Sequence, residues 1–319
     1  MGHNINSDNF RCAASLIAVE EQTQLNEGIV GHIKYFFGFL ILSVITLAVL
    51  ACTESPFGEN DISGGSSTIS GKVMLDTNIV AKNALVWLDG IGVSTRTNDA
   101  GEFKLEIPPG GAQGGTRGYT GTLILYYYFG NFKLGKTALA LQEGNFIYDS
   151  GPVDKKGKIS KPIILEKLLD IDIELQPPLV ILGTNPQVRI TVTLTANDSV
   201  SVYFPGTVDG TIGPISILDK STGDVKTVQT TIIGVTSGPS TKNIAAGESQ
   251  RREYSLGLGY FEPKTADYEI IPYLLLKHET MPTGLFVDPD GGSYTNLANY
   301  WKLPFDRTGS LLSVQKGDD

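Results

Sequence analysis

From residue 68 onward the chain repeats one pattern: short runs that alternate apolar with polar residues, cut by Gly, Pro, Asn or Asp. Successive side chains of a strand point to opposite faces, so strict alternation buries one face and wets the other. Val188 to Thr195 shows this most cleanly, with Val188, Ile190, Val192 and Leu194 on one face. Glu102 to Ile107 does the same with Phe103, Leu105 and Ile107. No heptad and no amphipathic-helix period appears. A chain of this kind must pack its sheets face to face, because a lone sheet leaves its apolar side in water. The expected fold class is therefore all-β, with two β-sandwich domains. A composition 41% hydrophobic and 18% charged fits such a globular body rather than a disordered chain.

The N-terminal part differs. Tyr35 to Ala51 carries no charge and follows Lys34. The run is shorter than the about 20 residues a membrane span needs, and it has the form of a signal-peptide helix behind a basic residue. It ends Val49-Leu50-Ala51-Cys52. These residues resemble the bacterial lipobox, although Leu50 is bulkier than the Ala or Ser usual at its place. The resemblance implies that Cys52 receives a diacylglyceryl group, that the leader 1–51 is cut off, and that the new amino terminus is acylated by a fatty acid such as palmitate. Two or more acyl chains hold firmly where one is marginal, at about 0.8 kcal/mol per buried methylene. Residues 52–67 are polar and Gly/Ser-rich and read as a flexible tether. The alternative is an uncleaved signal anchor. Roughly thirty mixed residues precede Lys34, long for such a leader, so a start near Val30 is expected. In one bacterial group an Asp after the cysteine retains a lipoprotein at the inner membrane. Thr53 stands there instead, so the expected address is a lipid anchor at the outer membrane or cell surface.

Residues 68–175 carry a second set of signals. Gly71-Lys72-Val73 lies in the run TISGKVML, Ala84 to Leu88 is an apolar run, and Thr97-Asn98-Asp99-Ala100-Gly101-Glu102-Phe103 is a tight turn into a strand, closed by Pro108 and Pro109. The order resembles the carboxypeptidase regulatory-like domain, a small transthyretin-like β-sandwich. In that family the acidic turn residue sits one place away, and the closing strand follows the Pro/Gly turn promptly. Here a Gly-rich stretch intervenes before TLILYYYF. The resemblance implies a structural or binding module and brings no peptidase motif with it. Tyr126 and Tyr128 share a strand face and are the candidate ligand-contact aromatics, because exposed rings stack on sugars or bases. Core or interface packing is the competing expectation for both.

Pro177-Pro178 and residues 183–186 mark a boundary. The runs in 176–319 resemble bacterial immunoglobulin-like modules, with an opening ITVTLTA strand, a Gly247-Glu248-Ser249 turn and a closing strand over 267–276. Pro272 within that strand implies an edge or a bulge. An irregular C-terminal tail is expected to follow.

Charge and composition narrow the chemistry. The net charge is -9 and Lys and Arg form no cluster along the sequence, which excludes a nucleic-acid partner. The two cysteines are Cys12 and Cys52, and the region after Cys52 has none, so no disulfide or thiolate metal site is expected there. Of the three histidines only His278 follows the leader. One histidine builds neither a His-rich zinc site nor, without a nucleophile elbow, a triad. Asp288 to Gly292 has alternate carboxylates of the kind calcium takes, but it lacks the rest of an EF-hand loop and reads as a turn. No catalytic residue, cofactor or metal ligand is assigned. The expected role is non-catalytic: contact with an envelope protein or glycan, with the membrane engaged through the lipid on Cys52. The rivals are a lipid-anchored envelope enzyme with an unrecognised carboxylate site, and a purely structural stalk or adhesin.

Overall fold

The computed structural model describes residues 68–317, apart from 77, 110–111, 114–117, 148–151, 185–186, 208–213, 229–237, 258, 260–262, 278–280 and 288–291. The leader, Cys52, the tether, His278 and Asp288 to Gly291 lie outside the described residues. Ser63–Asp319 forms one compact unit.

The described residues are nearly all β and form β-sandwiches. The first uses β1 (Thr68–Leu75), β2 (Ile79–Val80), β3 (Leu85–Leu88), β4 (Val93–Arg96), β5 (Glu102–Glu106), β6 (Gly121–Tyr128), β7 (Gly135–Gln142), β8 (Asn145–Phe146) and β9 (Ile163–Leu165). One sheet runs β2-β1-β5, with β9 parallel to β1; the other runs β4-β3-β6-β7-β8. Ile69, Val73 and Phe103 meet Val86, Leu125 and Tyr127 in the core between them. Gly71 lies opposite Phe103 across β1 and β5. A Cβ there would stand 2.8 Å from the ring, so the Gly-x-Val and Gly-x-Phe elements of the sequence are two halves of one contact.

The second sandwich uses β10 (Leu169–Gln176), β11 (Leu179–Ile181), β12 (Gln187–Ala196), β13 (Val200–Thr207), β14 (Ile215–Asp219), β15 (Val225–Val228), β16 (Gly238–Ile244), β17 (Ser249–Gly257), β18 (Ala266–Pro272), β19 (Leu275–Lys277) and β20 (Leu311–Gln315). Its sheets run β10-β12-β17, β11-β20-β18-β14-β15 and β16-β13-β19. Val188, Ile190, Val192 and Leu194 are all buried in its core, as their alternation requires.

Three features differ from the expectation. Leu169–Gln176, read as the end of the first domain, pairs along its whole length with β12 and buries Leu169, Ile171, Ile173 and Leu175 in the second core. Alternation says that one face is covered, not by which partner. The tail is not wholly irregular, because β20 sits between β11 and β18 with Leu312 and Val314 buried. The run 267–276 is not one strand. It leaves one sheet at Pro272 and enters another at Leu275. β20 pairs with β18 only over Ala266 to Glu269, so the N–H that Pro272 lacks falls beyond that ladder.

β3 and β6 have apolar residues on both faces, and both faces are buried. The outer face of their sheet, Leu85, Trp87, Tyr126 and Tyr128, enters a third core with Ile271, Tyr273, Leu285, Tyr294, Tyr300 and Leu303. The covering chain includes a 3-10 turn, Thr283–Phe286, and a one-turn helix, α1 (Leu297–Tyr300), whose N-cap Asn296 accepts from the Ala298 N–H at 3.1 Å.

Candidate functional site

The third core explains what becomes of the tyrosine run. Tyr126 and Tyr128 are buried, at 8% and 1% exposure. The Tyr126 ring lies 5.8 Å from Trp87, and Tyr128 meets Phe286 edge-on at 5.2 Å. Their rings are taken up by packing, which leaves little face for a sugar to stack on.

Tyr300 is the centre of this core. It is fully buried, with ring centroids of Tyr273 at 4.5 Å and Phe305 at 5.7 Å. Its hydroxyl donates to the Leu274 carbonyl and accepts from the Leu274 N–H at 3.3 Å. Leu274 lies where the chain changes sheet, so its two backbone groups have no ladder to join. Burial pushes the Tyr300 phenol up, against the opposing pull of the Arg307 guanidinium. Burial likewise raises Tyr273 to about 12, helped by Tyr300 and Tyr203. Tyr300→Phe is expected to keep the shape and lose about 1–3 kcal/mol, because Leu274 is left unpaired in a dry site. Urea unfolding checks this, and a change near zero would show that the hydroxyl is dispensable.

A cleft of about 580 Å³ opens where the first sandwich, the second sandwich and the segment 294–307 meet. Lys82 reaches it from the turn between β2 and β3, Arg96 from the end of β4, Lys220 from the turn after β14, and Glu269 from β18. The C-terminal segment adds Trp301, Lys302, Phe305 and Arg307. Among the described residues five cations and one acid thus line it. Two of the cations are partly neutralised, Lys82 by Asp99 at 2.8 Å and Lys220 by Glu269 at 3.5 Å.

The arginines are held differently. Arg96 stacks on Tyr294 with its Cζ 5.0 Å from the ring centre, and its Nη1 donates to the Asn83 carbonyl at 3.2 Å. Arg307 stacks on Phe305 at 4.5 Å, and its Nε and Nη2 are buried without a hydrogen-bond partner. Lys302 lies over Trp301 at 5.9 Å. Stacking fixes long cationic side chains before any ligand arrives, which reduces the entropy lost on binding.

None of these residues stands out in the sequence, because the contributing stretches lie far apart along the chain. The one available signal was the interleaving of aromatics and cations in YWKLPFDR, residues 300–307, which lay in the supposed tail. Among the described residues no group of three or more His, Cys, Asp or Glu side chains stands close enough to hold a metal ion. The lowered carboxylates belong to turns: Asp219 is held down by the Ser221 hydroxyl and N–H, and Asp154 by the Lys158 N–H. Among the described residues no helix is long and apolar enough to cross a membrane.

The sequence matches no protein-family model and no curated protein. Among solved structures the chain is similar to the major pilin subunit of Bacillus cereus, at 8% identity and a TM-score of 0.25, over 66% of this chain and 66% of that one. It thus spans just under two thirds of the pilin chain.

Proposed function

We propose that this is a lipid-anchored, non-catalytic contact protein of the bacterial envelope, with the lipid on Cys52 and the outer membrane or cell surface as its address. The first sandwich acts as a carboxypeptidase regulatory-like module and the second as an immunoglobulin-like module. The cleft between them is the contact site. One observation carries this reading: in a chain of net charge -9, one concave place collects five cations among the described residues, of which Lys82 and Lys220 are paired with Asp99 and Glu269. A cleft of one sign concentrates ligands of the other.

Cys52→Ala is expected to abolish fatty-acid labelling and to release the protein from the membrane fraction. Attachment that persists without labelling would instead establish an uncleaved anchor. For the contact role, the detergent-purified chain is expected to co-sediment with detergent-washed envelope material, which has no bilayer to take up the lipid, and an Arg96→Gln/Lys302→Gln chain is expected to stay in the supernatant. Equal co-sedimentation of the two would exclude the cleft.

A further inference from the structure

We infer that the lysine-rich turn at residues 154–161, with the sheet face beside it, rests on the bilayer that carries the anchor, against the phosphates of acidic phospholipids; this deepens the anchoring reading above and rests on it. The chain does hold one basic cluster, contrary to the expectation of none: Lys155, Lys156, Lys158 and Lys161 fall within residues 155–161. Asp154 and Gly157 close a turn, the Gly157 N–H donating to the Asp154 carbonyl at 2.9 Å, and Lys155 and Lys156 form its tip. All four lysines are exposed. None of them forms an ion pair among the described residues. The one acid in the turn, Asp154, is engaged by the turn itself, accepting the Lys156 N–H at 2.8 Å and the Lys158 N–H at 2.9 Å.

Two observations choose the occupant. The first is where the turn sits. The Ser70 N–H donates to the Gly157 carbonyl at 2.9 Å, and the Ile159 N–H donates to the Ser70 carbonyl at 2.8 Å, so the turn is bound to the first residues of β1. A tether of the composition and length of residues 52–67 reaches on the order of 20 Å. A body held by Cys52 therefore keeps this turn close to the head groups. The second is the face beside it. Paired residues of neighbouring strands share a face. Lys158 thus stands with Ser70, and Val80, Met74 and Ile164 form one apolar row, with Lys72 between the two pairs on β1. Ile164 is 53% exposed. An apolar row edged by lysines matches the boundary between acyl chains and phosphates, whereas a nucleic acid offers that row no partner. On the other side of β1, strand β5 carries Glu102 and Glu106, with Lys104 paired to Glu106 at 3.4 Å, so the basic side is the one towards β9. Each lysine held at an anionic surface strengthens attachment about fivefold.

The test adds the full lipidated chain from detergent to vesicles of phosphatidylcholine, or of phosphatidylcholine mixed with phosphatidylglycerol. Acylation of each lysine by a soluble amine reagent is then read by peptide mass. On the acidic vesicles Lys155, Lys156, Lys158 and Lys161 are expected to react about fivefold more slowly than on the neutral ones, and the difference should fade as salt rises. Lys242, exposed on β16, should react equally on both. Replacing the four lysines by Gln should also remove the protection of Lys72, with no change in thermal unfolding. Equal labelling of the turn on both kinds of vesicle would overturn the inference, as would equal protection of Lys242. Protection of the same lysines by a short DNA duplex in detergent, as strong as that by acidic vesicles, would assign the turn to nucleic acid instead. Flotation with the neutral vesicles reports the anchor separately. A chain that floats without protection keeps the anchor and loses the docking face; a chain that floats with neither vesicle loses both.

Discussion

Asn131→Ala is expected to lower the stability of the β-sandwich body by about 3 kcal/mol or more, seen as a lower urea midpoint at unchanged slope. Asn131 has no exposed surface. Its Nδ2 donates to the Leu169 carbonyl at 2.8 Å and to the Asp306 carbonyl at 2.9 Å, while its Oδ1 accepts from the Asp306 N–H at 2.9 Å. Its own carbonyl accepts from Leu168 at 2.9 Å and Leu169 at 3.2 Å. One loop of the first sandwich therefore completes the backbone bonding of both β10 and the C-terminal segment. Truncation strands two carbonyls and one N–H, each worth about 1–3 kcal/mol when buried unpaired, with less than full additivity. Asn131→Asp is the sharper variant. It keeps the shape and the acceptor but turns a donor into an anion that faces two carbonyls. Its deficit should shrink as pH falls, because a protonated acid donates again. A loss below about 1 kcal/mol for Asn131→Ala would mean that water replaces the side chain. The nearby pair of Lys133 with Glu166 at 2.8 Å is solvent-facing and contributes little beside it.

Gly309→Ala is expected to cost about 3 kcal/mol or more, and Gly247→Ala only about 1–2 kcal/mol. Both glycines have positive φ, 70° and 80°, so both share the left-handed penalty that a Cβ brings. Only Gly309 adds a steric term. A Cβ there would lie 2.0 Å from the Ile173 carbonyl oxygen, whereas nothing lies within 4 Å of one on Gly247. The close approach at Gly309 is forced by its neighbour. Thr308 lies beside the outer edge of β10, with its N–H donating to Ile171 at 3.0 Å and its carbonyl accepting from Ile173 at 2.9 Å. Its hydroxyl also donates to the Asp172 carboxylate at 2.6 Å. Thermal midpoints of the two variants decide the matter. Equal losses would show that backbone conformation alone accounts for Gly309, and that the segment yields to the added methyl.

Both predictions concern the places where the chain's distant parts are stitched together, and these were the places least legible in the sequence. The strand Val188 to Thr195 was readable because its alternation is local. The Gly71 and Phe103 motif was readable as a pattern, though its reason, a ring over a missing side chain, emerged only from the cross-strand register. Residues 169–176 show the limit. Their alternation is as clean as that of β12, yet it gives the strand to neither sandwich, since apolar faces are interchangeable until geometry selects a partner. Tyr126 and Tyr128 show the same limit on a smaller scale. Sharing a strand face does not say whether that face meets water or another layer, and here a third core covers it.

The all-β class and the positions of most strands follow from local order alone, because alternation and turn residues act over a few neighbours. The sequence also supplied the resemblance at Cys52 on which the anchoring proposal stands. The tertiary structure alone decided that β20 completes a sheet and that Tyr300 closes the break after Pro272. It alone brought Lys82, Arg96, Lys220, Lys302 and Arg307 to one cleft. Like charges dispersed along a chain carry no local signature. They become a site only when packing sets them side by side.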